Sequence, residues 1–164
     1  MKIAIISDSH DNEINLIRAL TLINKEKVSA LIHCGDVCSI NTLNLILNNF
    51  KKNIYIALGN GDFNLRQVKF KNKNLKIFKD FGSFKIGNKK IGITHFPDFV
   101  QKKLLSDSKN NNYDLIFYGH THKPWQDKIN NTLVINPGNI CGLFYKPTFA
   151  LCDLNKLVLK LVIF

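Results

Sequence analysis

Five short apolar runs in this 164-residue chain each lead into a block of small, polar and metal-ligating residues. Ile3 to Ile6 leads to Asp8-Ser9-His10, and Ala30 to Ile32 leads to Gly35-Asp36. Ile54 to Leu58 precedes Gly59-Asn60, Ile91 to Ile93 precedes Thr94-His95, and Leu115 to Tyr118 precedes Gly119-His120-Thr121-His122. Runs this short and this apolar read as strands buried on both faces, as in sheets covered by helices. Strands that end together align the residues that follow them along one edge of a sheet. In open α/β sheets that edge is where ligands bind. Four of the five histidines lie in these blocks, so the fold must deliver a cluster of nitrogen and oxygen donors to one place.

The intervening segments support such a fold. A strand at Lys2 to Ser7 is followed by a helix from about Asn12 to Lys25, with Leu16, Ala19, Leu20 and Ile23 on one face. A strand at Ala30 to His33, a helix from Asn41 to Phe50 and a strand at Asn53 to Leu58 complete a βαβαβ unit. Parallel strands joined by right-handed crossovers are its expected outcome. Shorter strands then follow at Leu75 to Phe78, Ser83 to Ile86 and Lys89 to Thr94, with Gly87-Asn88 as a hairpin turn. A helix from Pro97 to Ser108 ends before Asn110-Asn111-Asn112. Further strands are expected at Leu115 to Tyr118, Leu133 to Asn136, Phe149 to Asp153 and Leu157 to Phe164. No linker, repeat or low-complexity stretch divides the chain, so residues 1–164 read as one domain, a length sufficient to bury a core.

Composition sets outer limits. With 45% hydrophobic and 21% charged residues the chain is ordinary for a globular protein. No window approaches the roughly 18 apolar residues of a membrane span. The apolar run before Ser7 is too short for a secretory signal, so a cytoplasmic location is expected. Cys34, Cys38, Cys141 and Cys152 show no paired spacing and read as reduced thiols. The net charge of +11 invites a nucleic-acid reading, but only Arg18 and Arg66 among the 23 basic residues are arginines. Arginine is the side chain shaped for bidentate contact with phosphates and bases. The one local cluster, Lys69, Lys71, Lys73 and Lys76, reads as a solvated face.

The clustered residue types suit a pair of divalent ions, which polarise a phosphoryl group and generate a nucleophile at neutral pH. Asp36, beside a glycine at a strand end, is placed to bridge them. Alternate residues of an extended segment share a face, so Asp8 with His10, and His120 with His122, can point both donors the same way. Mixed imidazole and carboxylate donors suit Mn, Fe, Zn, Ni or Co better than Mg or Ca. Taken singly, the carboxylates and Asn60 could equally be helix caps or turn residues, and His33 reads as a hydrogen-bonded core histidine.

In their order the blocks resemble those of the calcineurin-like metallophosphoesterase superfamily, specifically its small single-domain prokaryotic phosphodiesterase branch. The match runs from Met1 to beyond Asn136-Pro137-Gly138, and Gly119-His120-Thr121-His122 is its most specific part. The resemblance implies an α/β fold, a four-layer αββα sandwich of two mixed β-sheets flanked by helices. It implies that Asp8, His10 and His122 hold one metal and Asn60, His95 and His120 the other, with Asp36 bridging. Asn60 would also touch a substrate oxygen. Two divalent ions, manganese first, with Ni, Fe, Zn or Co as alternatives, would be the cofactors, and a dimer or higher homo-oligomer is expected.

The chain departs from the family pattern at three places. Many members have a histidine after the Gly-Asn pair that protonates the leaving group, whereas this chain has Gly61. The next residue, Asp62, is the remaining candidate proton donor. Phe96 stands where glycine usually follows the histidine, and Asn139 where serine is commoner. Asn12 is a candidate substrate contact, because a helix N-terminus can hold a phosphate through its N–H groups. The expected function is hydrolysis of a small phosphodiester by a water or hydroxide bridging two metals. The competing readings are a catalytically weak protein-interaction scaffold of the same fold, as in the retromer subunit, and a nuclease. All seven donor positions are filled, which favours the enzyme, and scarce arginine disfavours the nuclease.

Overall fold

The computed structural model describes residues 1–106 and 113–164. Its first third is the expected alternation: β1 (Lys2–Ile6), α1 (Glu13–Lys25), β2 (Ala30–His33), α2 (Ile40–Asn49) and β3 (Asn53–Ala57). Adjacent pairs β1–β2 and β2–β3 are parallel. Asn12 caps α1 by accepting from the Asn15 N–H, and Ser39 caps α2 through the Thr42 N–H. Each cap satisfies one of the donors that a helix start leaves unpaired. Ser39 starts α2 one residue earlier than the apolar pattern suggests.

The remainder comprises α3 (Phe63–Arg66), β4 (Leu75–Phe78), β5 (Phe81–Ile86), β6 (Lys89–Thr94) and α4 (Pro97–Ser106), then β7 (Leu115–Phe117), β8 (Trp125–Ile129), β9 (Thr132–Asn136), β10 (Thr148–Asp153) and β11 (Val158–Ile163). One sheet has the order β11-β10-β1-β2-β3-β4 and the other β5-β6-β7-β9-β8. Both are mixed: β10 runs antiparallel to its neighbours β1 and β11 in the first, and β5 and β8 run antiparallel to β6 and β9 in the second.

The period-2 alternation of strand side chains assigns each buried residue to a layer. Ile3, Ile5, Ala30, Ile32, Tyr55 and Ala57 meet Ile91, Ile93, Leu115, Phe117 and Ile135 between the sheets. On the opposite face of the first sheet, Ala4, Ile6, Leu31, Ile54 and Ile56 pack with Leu16, Leu20, Ile23, Leu43 and Ile46 of α1 and α2. Ile116, Tyr118 and Val134 of the second sheet's outer face pack with Val100 and Leu104 of α4. This is the four-layer αββα sandwich, and it explains why the strands read as unbroken apolar runs.

Sequence patterning missed two elements. Every residue of β8 is exposed, so Trp-Gln-Asp-Lys-Ile shows no buried face to detect. Its pairing rests on a tight turn at Asn130-Asn131, where Asn130 takes φ +55°. The single turn α3 is too short for helical periodicity. Strand β5 starts at Phe81 rather than Ser83. The expected helix end at Ser108 and the Asn110-Asn111-Asn112 turn lie outside the described residues. No helix among the described residues is long and apolar enough to cross a membrane.

Candidate metal centre

The five polar blocks emerge from the C-terminal ends of β1, β2, β3, β6 and β7, where backbone hydrogen bonds lace their loops together. The Asp8 N–H donates to Gly35 O at 2.9 Å, the His10 N–H to Asp36 O at 3.0 Å, and the Gly119 N–H to His95 O at 3.1 Å. Five of the seven candidate donors have left-handed backbones: Asp8, His10, Asp36, His120 and His122, with φ from +43° to +69°. Few non-glycine residues adopt this region, and where several do so together the strain marks a functional site. Gly35, at φ +100°, is required for a second reason: a Cβ there would lie 2.5 Å from His95 Nδ1.

All seven side chains converge, and they divide into two groups. In the first, His10 Nε2 lies 3.2 Å from His122 Nε2 and 3.8 Å from Asp8 Oδ1, and His122 Nε2 lies 3.3 Å from Asp8 Oδ1. In the second, Asn60 Oδ1 is 3.1 Å from both His95 Nε2 and His120 Nδ1, which are 3.2 Å apart. Asp36 joins them, because its Oδ2 is 3.5 Å from His10 Nε2 and 3.5 Å from His95 Nε2. Ligands about 2.0–2.2 Å from one ion sit roughly 3–3.5 Å from each other. All the quoted separations match that spacing except the 3.8 Å between His10 and Asp8.

Neighbouring groups set which nitrogen faces inward. The Cys34 carbonyl, 2.8 Å from His95 Nδ1, can only accept, so Nδ1 carries the proton and Nε2 presents its lone pair. The Leu143 carbonyl does the same for His122 Nδ1 at 3.4 Å. Lone pairs therefore meet carboxylate oxygens across the centre, an arrangement that needs a cation. Asp8 is fully buried, and its Oδ1 has no hydrogen-bond partner among the described residues. Burial pushes the Asp8 carboxyl upward, but His122 and His95 outweigh it and leave it below the usual carboxylate range. The adjacent Asp8 carboxylate holds the His122 imidazole above its ordinary value. A buried carboxylate oxygen and imidazole nitrogens converging on one point suit a cation site, and the donor set fits transition metals.

Several residues have roles that differ from expectation or that the sequence did not disclose. Asp62, the candidate proton donor, lies beneath the loops rather than open to the centre. Fully buried, it accepts from the Asp36 N–H (2.9 Å) and Gly59 N–H (2.7 Å) through Oδ2, and from the Cys38 N–H (2.7 Å) through Oδ1. It ties the second and third loops together. Asn12 caps α1: its Oδ1 accepts from the Asn15 N–H and its Nδ2 donates to the Cys141 carbonyl. Asn139 donates to the His122 carbonyl at 3.1 Å and accepts from the Gly142 N–H, which accounts for the amide at that position. His33 is a core histidine, as expected. The Gly35 N–H donates to its Nδ1, its Nε2 meets Ser9 Oγ, and burial pushes its pKa down to about 4. Cys141 lies close enough to His10 and His122 for the three donor atoms to fall within 4.8 Å of one another, which no spacing in the sequence announced.

Comparison with known proteins decides the family. A model of the calcineurin-like phosphoesterase superfamily domain matches residues 1–157. The chain belongs to this superfamily. Phosphodiesterase MJ0936 of Methanocaldococcus jannaschii is 37% identical over 160 residues, covering 95% of each protein. Among solved structures, an archaeal phosphodiesterase superposes with a TM-score of 0.86 at 32% identity over 100% of both chains. Vacuolar protein sorting 29 of Cryptosporidium parvum, at 22% identity and a TM-score of 0.68, covers 99% of this chain and 96% of its own and shares the fold. Superfamily membership and the clustered metal donors make this protein a binuclear metal-dependent phosphoesterase.

Proposed function

We propose that this phosphoesterase hydrolyses small phosphodiesters, using Asp8, His10 and His122 for one ion, Asn60, His95 and His120 for the other, and Asp36 for both. The observation that carries the reading is the equal 3.5 Å reach of Asp36 Oδ2 to an imidazole of each group. Manganese is the favoured metal, and nickel, iron, zinc and cobalt suit the same donors. Bound there, two ions supply a nucleophile at neutral pH and positive charge opposite the phosphoryl oxygens. Asn60 turns its Oδ1 to the two imidazoles, which leaves its exposed amide nitrogen to donate to a phosphoryl oxygen and orient it.

The diester preference follows from what the chain lacks near the leaving group. Gly61 offers no side chain there, and Asp62 is sealed beneath the loops by three N–H donors. A leaving group must then depart without a proton from either residue, which favours activated esters. A diester also brings one negative charge where a monoester brings up to two. All four cysteines are free thiols, which supports a reducing, cytoplasmic setting. The test compares methyl 4-nitrophenyl phosphate with 4-nitrophenyl phosphate, which share a leaving group, using the manganese-loaded protein. The diester should have the higher kcat/KM. A tenfold preference for the monoester would overturn the reading.

A further inference from the structure

Two aromatic side chains stand against the candidate ligands, one beside each donor group. Phe96 follows His95 directly. Its ring centroid lies 4.8 Å from that of His95, edge-on at 82°, and 5.2 Å from that of His120. Phe144 reaches the other group, its ring 5.7 Å from that of His122. The second group thus has an aromatic wall from the end of β6, and the first has one from the loop preceding β10.

Phe144 gains nothing for the fold where it is. It is 89% exposed, so burying it does not contribute to the core. Its backbone also sits at φ +65°, a region that bulky residues rarely occupy. Both features oppose stability, yet the loop is firmly anchored. The Cys141 N–H donates to Asp8 O at 3.0 Å, Asn15 Nδ2 donates to Ile140 O at 3.1 Å, and Leu143 O receives His122 Nδ1–H. An exposed ring held in a strained conformation on an anchored loop beside a metal ligand is placed for something that covers it. Inference from such an outlier runs toward function.

We propose that Phe96 and Phe144 are specificity-determining walls that select phosphodiesters whose two ester arms are planar and aromatic. This rests on the diesterase reading above. The phosphorus of a diester is tetrahedral and sends its two arms in different directions. A phosphoryl group seated over Asp36, where the two donor groups meet, directs one arm toward each ring. Offset or edge-to-face contact between aromatic rings is favourable beyond simple area burial, and each contact corresponds to about a two- to tenfold gain in affinity. Alkyl arms forgo that gain.

Binding and turnover test this separately. Diphenyl phosphate and dimethyl phosphate, neither with an activated leaving group, are titrated into the manganese-loaded protein by calorimetry. Diphenyl phosphate should bind about four- to a hundredfold tighter, from the two contacts together. Phe144→Ala and Phe96→Ala should each reduce that ratio about two- to tenfold, and Phe144→Tyr should restore it. Phe144 is exposed, so its removal leaves the core intact, and circular dichroism of each variant verifies folding. Equal affinity for the two diesters, or a ratio that neither alanine variant changes, would overturn the proposal. Turnover of methyl 4-nitrophenyl phosphate, measured in parallel, tests the diesterase reading alone. If that ester is hydrolysed while the binding ratio is flat, only the aromatic walls fail. If it is not hydrolysed, the diesterase reading fails and the binding ratio still decides the role of the rings. Adding thymidine 5′-(4-nitrophenyl) phosphate to the turnover series distinguishes nucleobase from simple aryl arms.

Discussion

Replacing Asp62 with asparagine separates a structural tie from a proton donor. The Asp62 carboxylate accepts three backbone N–H groups, from Asp36, Cys38 and Gly59, at 2.7 to 2.9 Å. An asparagine can keep its oxygen toward the Asp36 and Gly59 donors but must then direct its NH2 at the Cys38 N–H, donor against donor. Losing one charge-assisted bond costs about 1.5–3 kcal/mol, and converting two others to neutral bonds costs about 1 kcal/mol each. The sum is about 3.5–5 kcal/mol, a large share of the roughly 5–15 kcal/mol that stabilises a typical domain. For a chain of this length that lowers Tm by roughly 10 °C. Thermal unfolding by circular dichroism measures it, with and without manganese. Metal affinity should also fall, because the lost bond holds the loop that carries Asp36. A loss below 1 kcal/mol would refute the argument. So would a variant that folds and binds metal normally but loses kcat together with the basic limb of its pH–rate profile. That second result is the signature of a general acid.

Three other expectations concern metal, pH and surface charge. Elemental analysis should find two ions per chain, falling to one in His95→Ala and His120→Ala and lower still in Asp36→Asn, since Asp36 serves both groups; saturating manganese at 100 times its Kd should add about 2.7 kcal/mol of stability per site, and one ion per chain in the unmodified protein would contradict the two-group geometry. His33 has a folded-state pKa near 4, below its unfolded value of about 6.5, so protons bind the unfolded chain first. The resulting stability is complete above about pH 6.5 and lost as pH falls toward about 4; His33→Gln should flatten that part of a urea-denaturation pH series, and an unchanged slope would assign the titration elsewhere. Neutralising Lys69, Lys71, Lys73 and Lys76, all exposed, should leave small-diester hydrolysis nearly unchanged, because salt screens such charges over about 8 Å. Steeply salt-dependent oligonucleotide binding abolished by the quadruple change would instead promote a nuclease.

The parts of this molecule that were legible in the sequence are those whose cause is local or periodic. Ile3 to Ile6 and Leu115 to Tyr118 read as strands because both faces are buried, and the donor blocks read as a site because each follows such a strand. β8 was invisible for the same reason, since none of its residues is buried and only its pairing with β9 makes it a strand. In the site, spacing pointed to donors but not to what holds them. Asp62 and Asn60 are two residues apart, both in a glycine-rich turn, yet one is sealed below the loops and the other opens to solvent. The difference lies in N–H groups contributed by Asp36 and Cys38, more than twenty residues away in sequence. The contacts of Cys141, Asn139 and Phe144 with His122 and its surroundings are also long-range, and no periodicity encodes them.

The strain at the centre and the ties beneath it belong to one design problem. A strand delivers its last residue with an accuracy set by the sheet, but extended backbone would carry the next side chains away from the neighbouring strand ends. A left-handed residue reverses the chain within one step, and Asp8, Asp36 and His120 are such residues, one just beyond each of three strands. Each costs roughly 1–3 kcal/mol and persists only where surrounding contacts over-determine it. Those contacts are specific: the Asp8 N–H to Gly35, the Asp36 N–H to Asp62, and the His120 N–H to Asp8 Oδ2. In two of the three cases a carboxylate accepts the N–H of the strained residue. Substituting either carboxylate therefore removes the support of a neighbouring donor as well as its own charge. Effects on metal binding should be strongly non-additive between Asp8 and His120, and between Asp62 and Asp36, as expected for residues sharing one hydrogen-bonded network.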